Sequence, residues 1–347
     1  MTELPAPTTD IRTRGSTSFH DWIGAWEMAL LGLLVGTLVF GSLFSPYLLT
    51  GANFTITAED SVGIGLMVVP MAWLMIAGEI DLSIASMFGL SGAVFGLLIQ
   101  GGVGLAPAAA ASIAIGAIGG LVNAFFAVQL GLPSLIVTVG SLSVYRGLAY
   151  VLLQTASING LPPDFRAFCQ GTVAGSIVPN TLVILLVLAL VGGLLLQRGS
   201  IGRKVYAIGS SAQVSRFSGL RVRRVKVGLF VFSGVVASIA GILYSGYVNN
   251  VRADNGTGLE LTVIGIVLIG GVSMYGGKGR ILGVLLSFLL VTVARSFMNL
   301  QYIATNLQFM VVGLLMIGAV VVPALLARVP ALATRATSGR RPSLSSE

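Results

Sequence analysis

Residues 177–196 read IVPNTLVILLVLALVGGLLL, and the next thirty, 197–226, read QRGSIGRKVYAIGSSAQVSRFSGLRVRRVK. The first stretch carries no charge and is about 20 residues long, which at 1.5 Å per residue crosses a hydrocarbon layer of about 30 Å. The second holds Arg198, Arg203, Lys204, Arg216, Arg221, Arg223, Arg224 and Lys226 and no acid. An apolar span followed by a purely basic loop is the signature of a helix that ends on the cytoplasmic side of a membrane.

Working outward, nine further apolar stretches appear: 29–44, 62–77, 84–99, 105–128 and 132–153 before this span, and 227–248, 261–274, 281–293 and 307–326 after it. Charged residues make up 9% of the 347, against about 25% for a soluble domain, so a soluble enzyme, a nucleic-acid reader and a disordered chain are excluded. The expected fold is an all-α, polytopic transmembrane helix bundle of about ten spans. Six spans precede the basic loop and four follow it, so both termini fall on its face. That face gathers 16 of the 20 basic residues, with Arg12, Arg14, Lys278, Arg280, Arg328, Arg335, Arg340 and Arg341 added to the loop's eight. It is therefore read as cytoplasmic. The chain divides into a polar N-terminal tail (1–26, without a signal-peptide pattern), a transmembrane domain (27–327, with the basic loop at 198–226) and a C-terminal tail (328–347). The net charge of +8 belongs to this topology rather than to nucleic acid. The spans of 62–153 and 227–326 start on opposite faces, as an inverted repeat requires. Gly92-xxx-Gly96 and Gly116-xxx-Gly120 are read as close helix packing.

One cysteine (Cys169) and one histidine (His20) leave no intrachain disulfide and no histidine metal cluster. In the basic loop, Ser210 or Ser211 is placed to cap a short helix running to about Ser218, stopped by Gly219. Such a helix presents Gln213, Arg216 and Phe217 outward and suits docking to another protein; a solvated loop that only enforces topology reads equally well on spacing. The nearest thing to a phosphate loop, Gly271-Val-Ser-Met-Tyr-Gly-Gly-Lys-Gly279, is one residue too long and lacks the Ser or Thr that holds Mg²⁺. This chain is thus expected to bind no cofactor or metal and to catalyse nothing itself, leaving ATP and Mg²⁺ to a partner.

Ionisable residues inside spans are functional candidates by default. Arg146 lies in the outer half of the fifth span beside Tyr145, Tyr150 and Gln154, and Asn123 and Asn299 are uncharged polar groups in other spans; these six are the candidate translocation path. Arg295 is read as snorkelling to the outer interface. No chain of carboxylates is visible, which disfavours proton coupling and favours an uncharged, hydroxyl-rich solute. Glu79 and Asp81 sit where Asp81 or Ser83 caps the next helix. The outer loops 154–179 and 249–260 carry Asp164, Arg166, Arg252, Asp254 and Glu260, a candidate docking rim for a binding protein; ordinary solvated loops look the same.

Gly78-Glu-Ile-Asp-Leu-Ser83, Tyr145-Arg-Gly-Leu-Ala149, the 202–219 loop and Gly270-Gly-Val-Ser-Met-Tyr-Gly-Gly-Lys-Gly279 occur in this order. Together, over about residues 25–325, they resemble the permease subunits of bacterial ABC importers for monosaccharides, the ribose, xylose, rhamnose and furanose-autoinducer group. The resemblance implies an inner-membrane, multi-pass subunit that pairs with a second permease, the same or a sister chain, above two ABC ATPase subunits, with a periplasmic sugar-binding protein delivering the solute. It makes Gly209, Ser211, Gln213, Arg216, Phe217, Ser218 and Gly219 the ATPase-coupling segment, and Gly78, Glu79, Asp81 and Ser83 the family motif. Glu79 stands where the family usually has Gly, and Ser211 where Asn is usual, which leaves homodimer against heterodimer open. An ABC permease for branched-chain amino acids and an ion-coupled secondary transporter are the alternatives.

Overall fold

The structure is a computed structural model and describes residues 24–326; the tail arginines, and nearly all of both tails, lie outside the described residues. Long helices carry the fold: α1 (Ala25–Phe44), α2 (Gly51–Ile76), α3 (Ile84–Gln100), α4 (Leu105–Ala124, continued by a π-turn at Phe125–Gln129), α5 (Ser134–Leu153), α7 (Asn180–Gln197), α10 (Val222–Val248), α11 (Leu259–Ile269), α12 (Ile281–Leu300) and α13 (Thr305–Leu326). Shorter helices are α6 (Pro163–Cys169), α8 (Ser200–Ser210) and α9 (Ala212–Phe217). Strands β1 (Ile158–Asn159) and β2 (Asn250–Val251) pair antiparallel and clip two loops together.

Among the described residues, seven helices are long and apolar enough to cross a membrane, and the shorter apolar stretches of helix are Ile84–Gln100, Leu259–Ile269 and Thr305–Leu315, the first part of α13. All ten expected apolar stretches lie on helices, but several boundaries move. The second starts at Gly51, not residue 62, because Thr50 caps it by accepting from the Asn53 N–H. That brings Glu59 and Asp60 inside a helix. The seventh starts at Val222, so Arg223, Arg224 and Lys226 are in its first turns rather than in the loop. The eighth ends at Ile269, short of residue 274.

Helix α2 is buried on every side from Ser61 to Ile76, which explains a run apolar all round its circumference. It forms the centre, with α7, α10, α11 and α12 against it, while α1, α5 and α7 leave rows of Leu, Val, Ile and Phe exposed where lipid tails or a partner would lie. The paired glycines act in packing. Gly116 and Gly120 meet the α10 backbone at Gly234 and Phe230, and Gly92 meets Gly241, so the axes approach closely.

The contact pattern is symmetric. Exchanging α2 with α10, α3 with α11, α4 with α12 and α5 with α13 maps α3–α4 onto α11–α12, α3–α5 onto α11–α13, α3–α10 onto α2–α11 and α4–α10 onto α2–α12, and all eight pairs are in contact. This is the set of contacts an inverted repeat produces. The connection after α10 has a special course. Val251 packs on Gly96, the Asn255 carbonyl on Gly89 and Gly256 on Ala85, so residues 251–256 run back along α3 before α11 starts. α11 is consequently a short helix that begins within the bundle.

Candidate transport and coupling sites

At the basic end, α8 turns back from α7 and buries Gly202, Val205 and Ile208 while Arg203 and Lys204 face out. Its Gly209 lies so close to the Ile76 carbonyl and the Gly277 N–H that any Cβ would collide with both. Gly277 N–H in turn donates to Ile76 O at 2.8 Å, and Tyr206 Oη donates to Gly279 O at 2.7 Å. The glycine-rich 270–279 turn is thus a packed strut between α2 and α8. Burial raises the Tyr206 phenol above its ordinary value, with Arg280 opposing.

The expected short helix is α9. Ser211 Oγ accepts from the Val214 N–H at 3.2 Å, Gly219 adopts φ +80°, and the Gly219 and Leu220 N–H groups donate to Arg216 O and Ser215 O. That pair of bonds is a Schellman stop. Only Ser215 is buried; Gln213, Val214, Arg216, Phe217 and Ser218 face outward, and Phe217 is 84% exposed. A phenylalanine so exposed beside an arginine, on a helix capped at both ends, is a rigid knob that the described residues leave largely uncovered. Met274 and Tyr275 of the neighbouring turn are also exposed.

Above this lies a buried polar chain. Asp81, 2% exposed, accepts from the Ser83 N–H (3.0 Å), Ser83 Oγ (2.6 Å) and Ser233 Oγ of α10 (2.7 Å). Ser83 Oγ accepts from Asn123 Nδ2 at 2.8 Å, and Tyr145 Oη donates to Gly119 O at 2.9 Å with Asn123 Oδ1 at 3.3 Å. Ser134 and Thr138 of α5 hold the backbone of Ile80. The capping expectation is corrected in part: Ser83 occupies the N-cap, but its hydroxyl turns to Asp81 instead of a helix N–H. Gly78 makes the turn at φ +78°, and Glu79 forms an ion pair with Lys226 in the first turns of α10.

The structure separates the six path candidates. Tyr145 and Asn123 join the Asp81 chain. Arg146 pairs with Glu260 at 3.1 Å, linking α5 to the first turn of α11. Glu260 therefore belongs to a helix within the bundle and not to the docking rim. Tyr150 and Gln154 are exposed at the far end of α5, and Asn299 accepts from Gln308 Nε2 at 2.6 Å at the end of α12. On the outer loops, Asp164 and Arg166 sit on α6, and Arg252 and Asp254 pair with each other at 2.8 Å and are exposed.

One polar cavity takes in Asn299 alone of the six path candidates. About 390 Å³ in volume, it lies between α2 and α12, with Tyr247 of α10 and Ile266 of α11 completing the wall. Asn53 and Asn299 stand at the helix ends; Thr57, Asp60, Thr292, Arg295 and Ser296 follow inward; Ile64, Ile266 and Val291 form the floor. The cap at Thr50 is the signal that draws α2 back over Asp60. Among the described residues no cluster of His, Cys, Asp and Glu suits a metal ion.

Residues 53–320 match the family model described as branched-chain amino acid transport system / permease component. The chain is 34% identical over 289 residues to the "Autoinducer 2 import system permease protein LsrD" of Yersinia pseudotuberculosis serotype O:1b (strain IP 31758), covering 82% of this chain and 86% of that one. It is 33% identical, with the same coverage, to the protein of that name from Yersinia pestis (strain Pestoides F). No solved structure matches.

Proposed function

The chain belongs to the branched-chain amino acid transport system permease-component family, a non-catalytic transmembrane subunit of ABC importers, and from that membership we propose the system it serves. It is the permease of an ATP-driven importer in a bacterial inner membrane, moving a monosaccharide or related polyol-like solute by alternating access. The name of its Yersinia relatives supports the solute class. Ten crossings with both termini in the cytoplasm fit the ten helix-borne apolar runs and the charge bias. The symmetric contact pattern fits two halves that rock about α2 and α10. A second permease chain completes the translocation path along α5, where Arg146 pairs with Glu260 of α11.

The observation that carries the reading is α9. A partner ATPase, which binds ATP and Mg²⁺ where this chain binds neither, takes the knob of Arg216 and Phe217 into a cleft. Gly209 then passes its movement to the end of α2, and Ser215 to α10. A periplasmic sugar-binding protein docks on the opposite end, over α6 and the Arg252–Asp254 pair. The family description also names branched-chain amino acids, so leucine is the competing solute.

The test is affinity purification of the tagged chain from native membranes in mild detergent, with partners identified by mass spectrometry. Recovery of an ABC ATPase is expected, and a second, different permease beside it marks a heterodimer. A chain that emerges alone at every salt concentration overturns the importer.

A further inference from the structure

We propose that the cavity between α2 and α12 is a solute-binding site within a single permease chain, and that it takes a neutral, hydroxyl-rich solute of monosaccharide size. The proposal rests on the importer reading above and deepens it.

Size comes first. Its roughly 390 Å³ falls at the small end of the range, about 300–1,000 Å³, that small-molecule sites occupy. The lining comes second. Asp60 and Arg295 both border the space, one from each wall, near enough to influence each other but without an ion pair between them. Among the described residues no hydrogen bond reaches the Asp60 carboxylate. Arg295 packs its guanidinium 5.9 Å over the Phe309 ring and makes no hydrogen bond to another described residue. Asp60 is exposed to this space and Arg295 is half-buried beside it, so both present open hydrogen-bonding positions to a solute that enters. Here they supply one strong acceptor and a fork of donors, with zero net charge between them.

The rest of the wall chooses the ligand. Asn53, Thr57 and Ser296 are already tied to one another (Asn53 Nδ2 to Ser296 Oγ 3.0 Å, Thr57 Oγ1 to Ser296 Oγ 2.8 Å), giving a rigid ladder of oxygens toward the mouth. Thr292 and Tyr247 add further hydroxyl-bearing side chains. A solute that presents several hydroxyl groups engages the charged pair and the ladder together, each hydroxyl donating once and accepting elsewhere. A zwitterionic amino acid satisfies the charged pair but makes no use of the acceptor positions the ladder still offers. A polyol engages both, and that difference in matched polar groups is what separates the two solutes.

The chain itself provides a clean assay. Its one cysteine, Cys169, is buried and its thiol is pushed up to about 12 by that burial, so it stays silent toward thiol reagents at neutral pH. Thr292→Cys is made in the full chain and treated, in cells expressing the whole transporter, with an anionic, membrane-impermeant methanethiosulfonate. Leu289→Cys, 46% exposed on the apolar side of α12, is the control. Labelling is expected at Thr292→Cys and not at Leu289→Cys. D-Ribose, D-xylose or L-rhamnose should slow it about tenfold when present at about ten times its Kd. Asp60→Asn and Arg295→Gln, each added to Thr292→Cys, should keep the labelling and remove the protection. Thr57→Cys repeats the measurement if Thr292→Cys fails to reach the membrane.

No labelling at either cavity cysteine, equal rates with every sugar, or protection by L-leucine alone overturns the proposal. The same membranes, solubilised for partner recovery, separate the two readings. An ATPase recovered without sugar protection overturns the cavity and leaves the importer; sugar protection without an ATPase does the reverse.

Discussion

Two aspartates, twenty-one positions apart, show how differently one fold treats a carboxylate. Asp81 is enclosed and accepts three hydrogen bonds from Ser83 and Ser233, and the chain continues through Asn123. Asp60 borders a cavity and accepts none from the described residues. The first ties the α2–α3 turn to α10 and α4, so its bonding capacity is spent inside the protein. The second keeps its capacity for something that arrives. A buried carboxylate whose acceptors are filled is a structural joint; an exposed one with open acceptors beside a cation and a cavity is a site.

Breaking that contrast has the largest expected effect. Asp81→Ala leaves the Ser83 N–H and two hydroxyls without an acceptor; at about 1.5–3 kcal/mol for each bond to a charged group, a loss of at least 3 kcal/mol follows. The apparent melting temperature of the purified chain in detergent should fall by on the order of 10 °C. Asp60→Asn should melt within about 2 °C of the parent, because it removes no partner from any other group. Equal melting of the two variants would collapse the distinction between joint and site.

The next contrast sets this joint against the knob it supports. Phe217→Ala and Arg216→Ala remove exposed side chains, so membrane insertion and melting should be unchanged within about 0.5 kcal/mol. Their effect should appear only with the partner. Buried aromatic and arginine anchors at an interface cost about 2–4 kcal/mol each when truncated, which predicts ATPase recovery reduced by roughly 30-fold or more in the pull-down. Full recovery in the double variant would make α9 a topology loop after all.

What is local is legible in the sequence. Ser211 at the cap and Gly219 at the stop are neighbours of the helix they bound, so consecutive residues suffice to mark out α9. The basic bias and the apolar runs are likewise carried by consecutive residues. What stays hidden depends on distance or on segments of intermediate polarity. The partners of Asp81 are 152 and, through Ser83, 40 positions away from it or its neighbour. Glu260 reads as loop because 251–256 is polar and α11 has only 11 residues. Its meeting with Arg146 spans 114 positions. Asp60 falls outside the expected span because Thr55, Thr57, Glu59 and Asp60 dilute the hydropathy of the first turns of α2, although a bundle can hold such residues against its own cavity.

The smallest expected effect concerns Glu79, the residue that departs from the usual motif. Its ion pair with Lys226 is largely enclosed, with side chains 11% and 16% exposed. It also lies on the Asp81 turn, two residues before the joint, and reaches the α10 turn that follows α9. Removing one member strands the other charge away from water, while removing both leaves only a small void. Glu79→Ala and Lys226→Ala should therefore each destabilise the chain by about 1–3 kcal/mol, and the double variant should recover most of that loss. A thermal-melt double-mutant cycle reads the difference directly. If the two single losses simply add, the pair does no joint work, and the link between the Asp81 turn and the base of α10 rests on Ser233 alone. If the double variant recovers, Glu79 and Lys226 are a matched pair that replaces the small residue usual at this turn with a charge bolt. The Asp81 joint then has two ties to α10, one of them within reach of the segment that α9 begins.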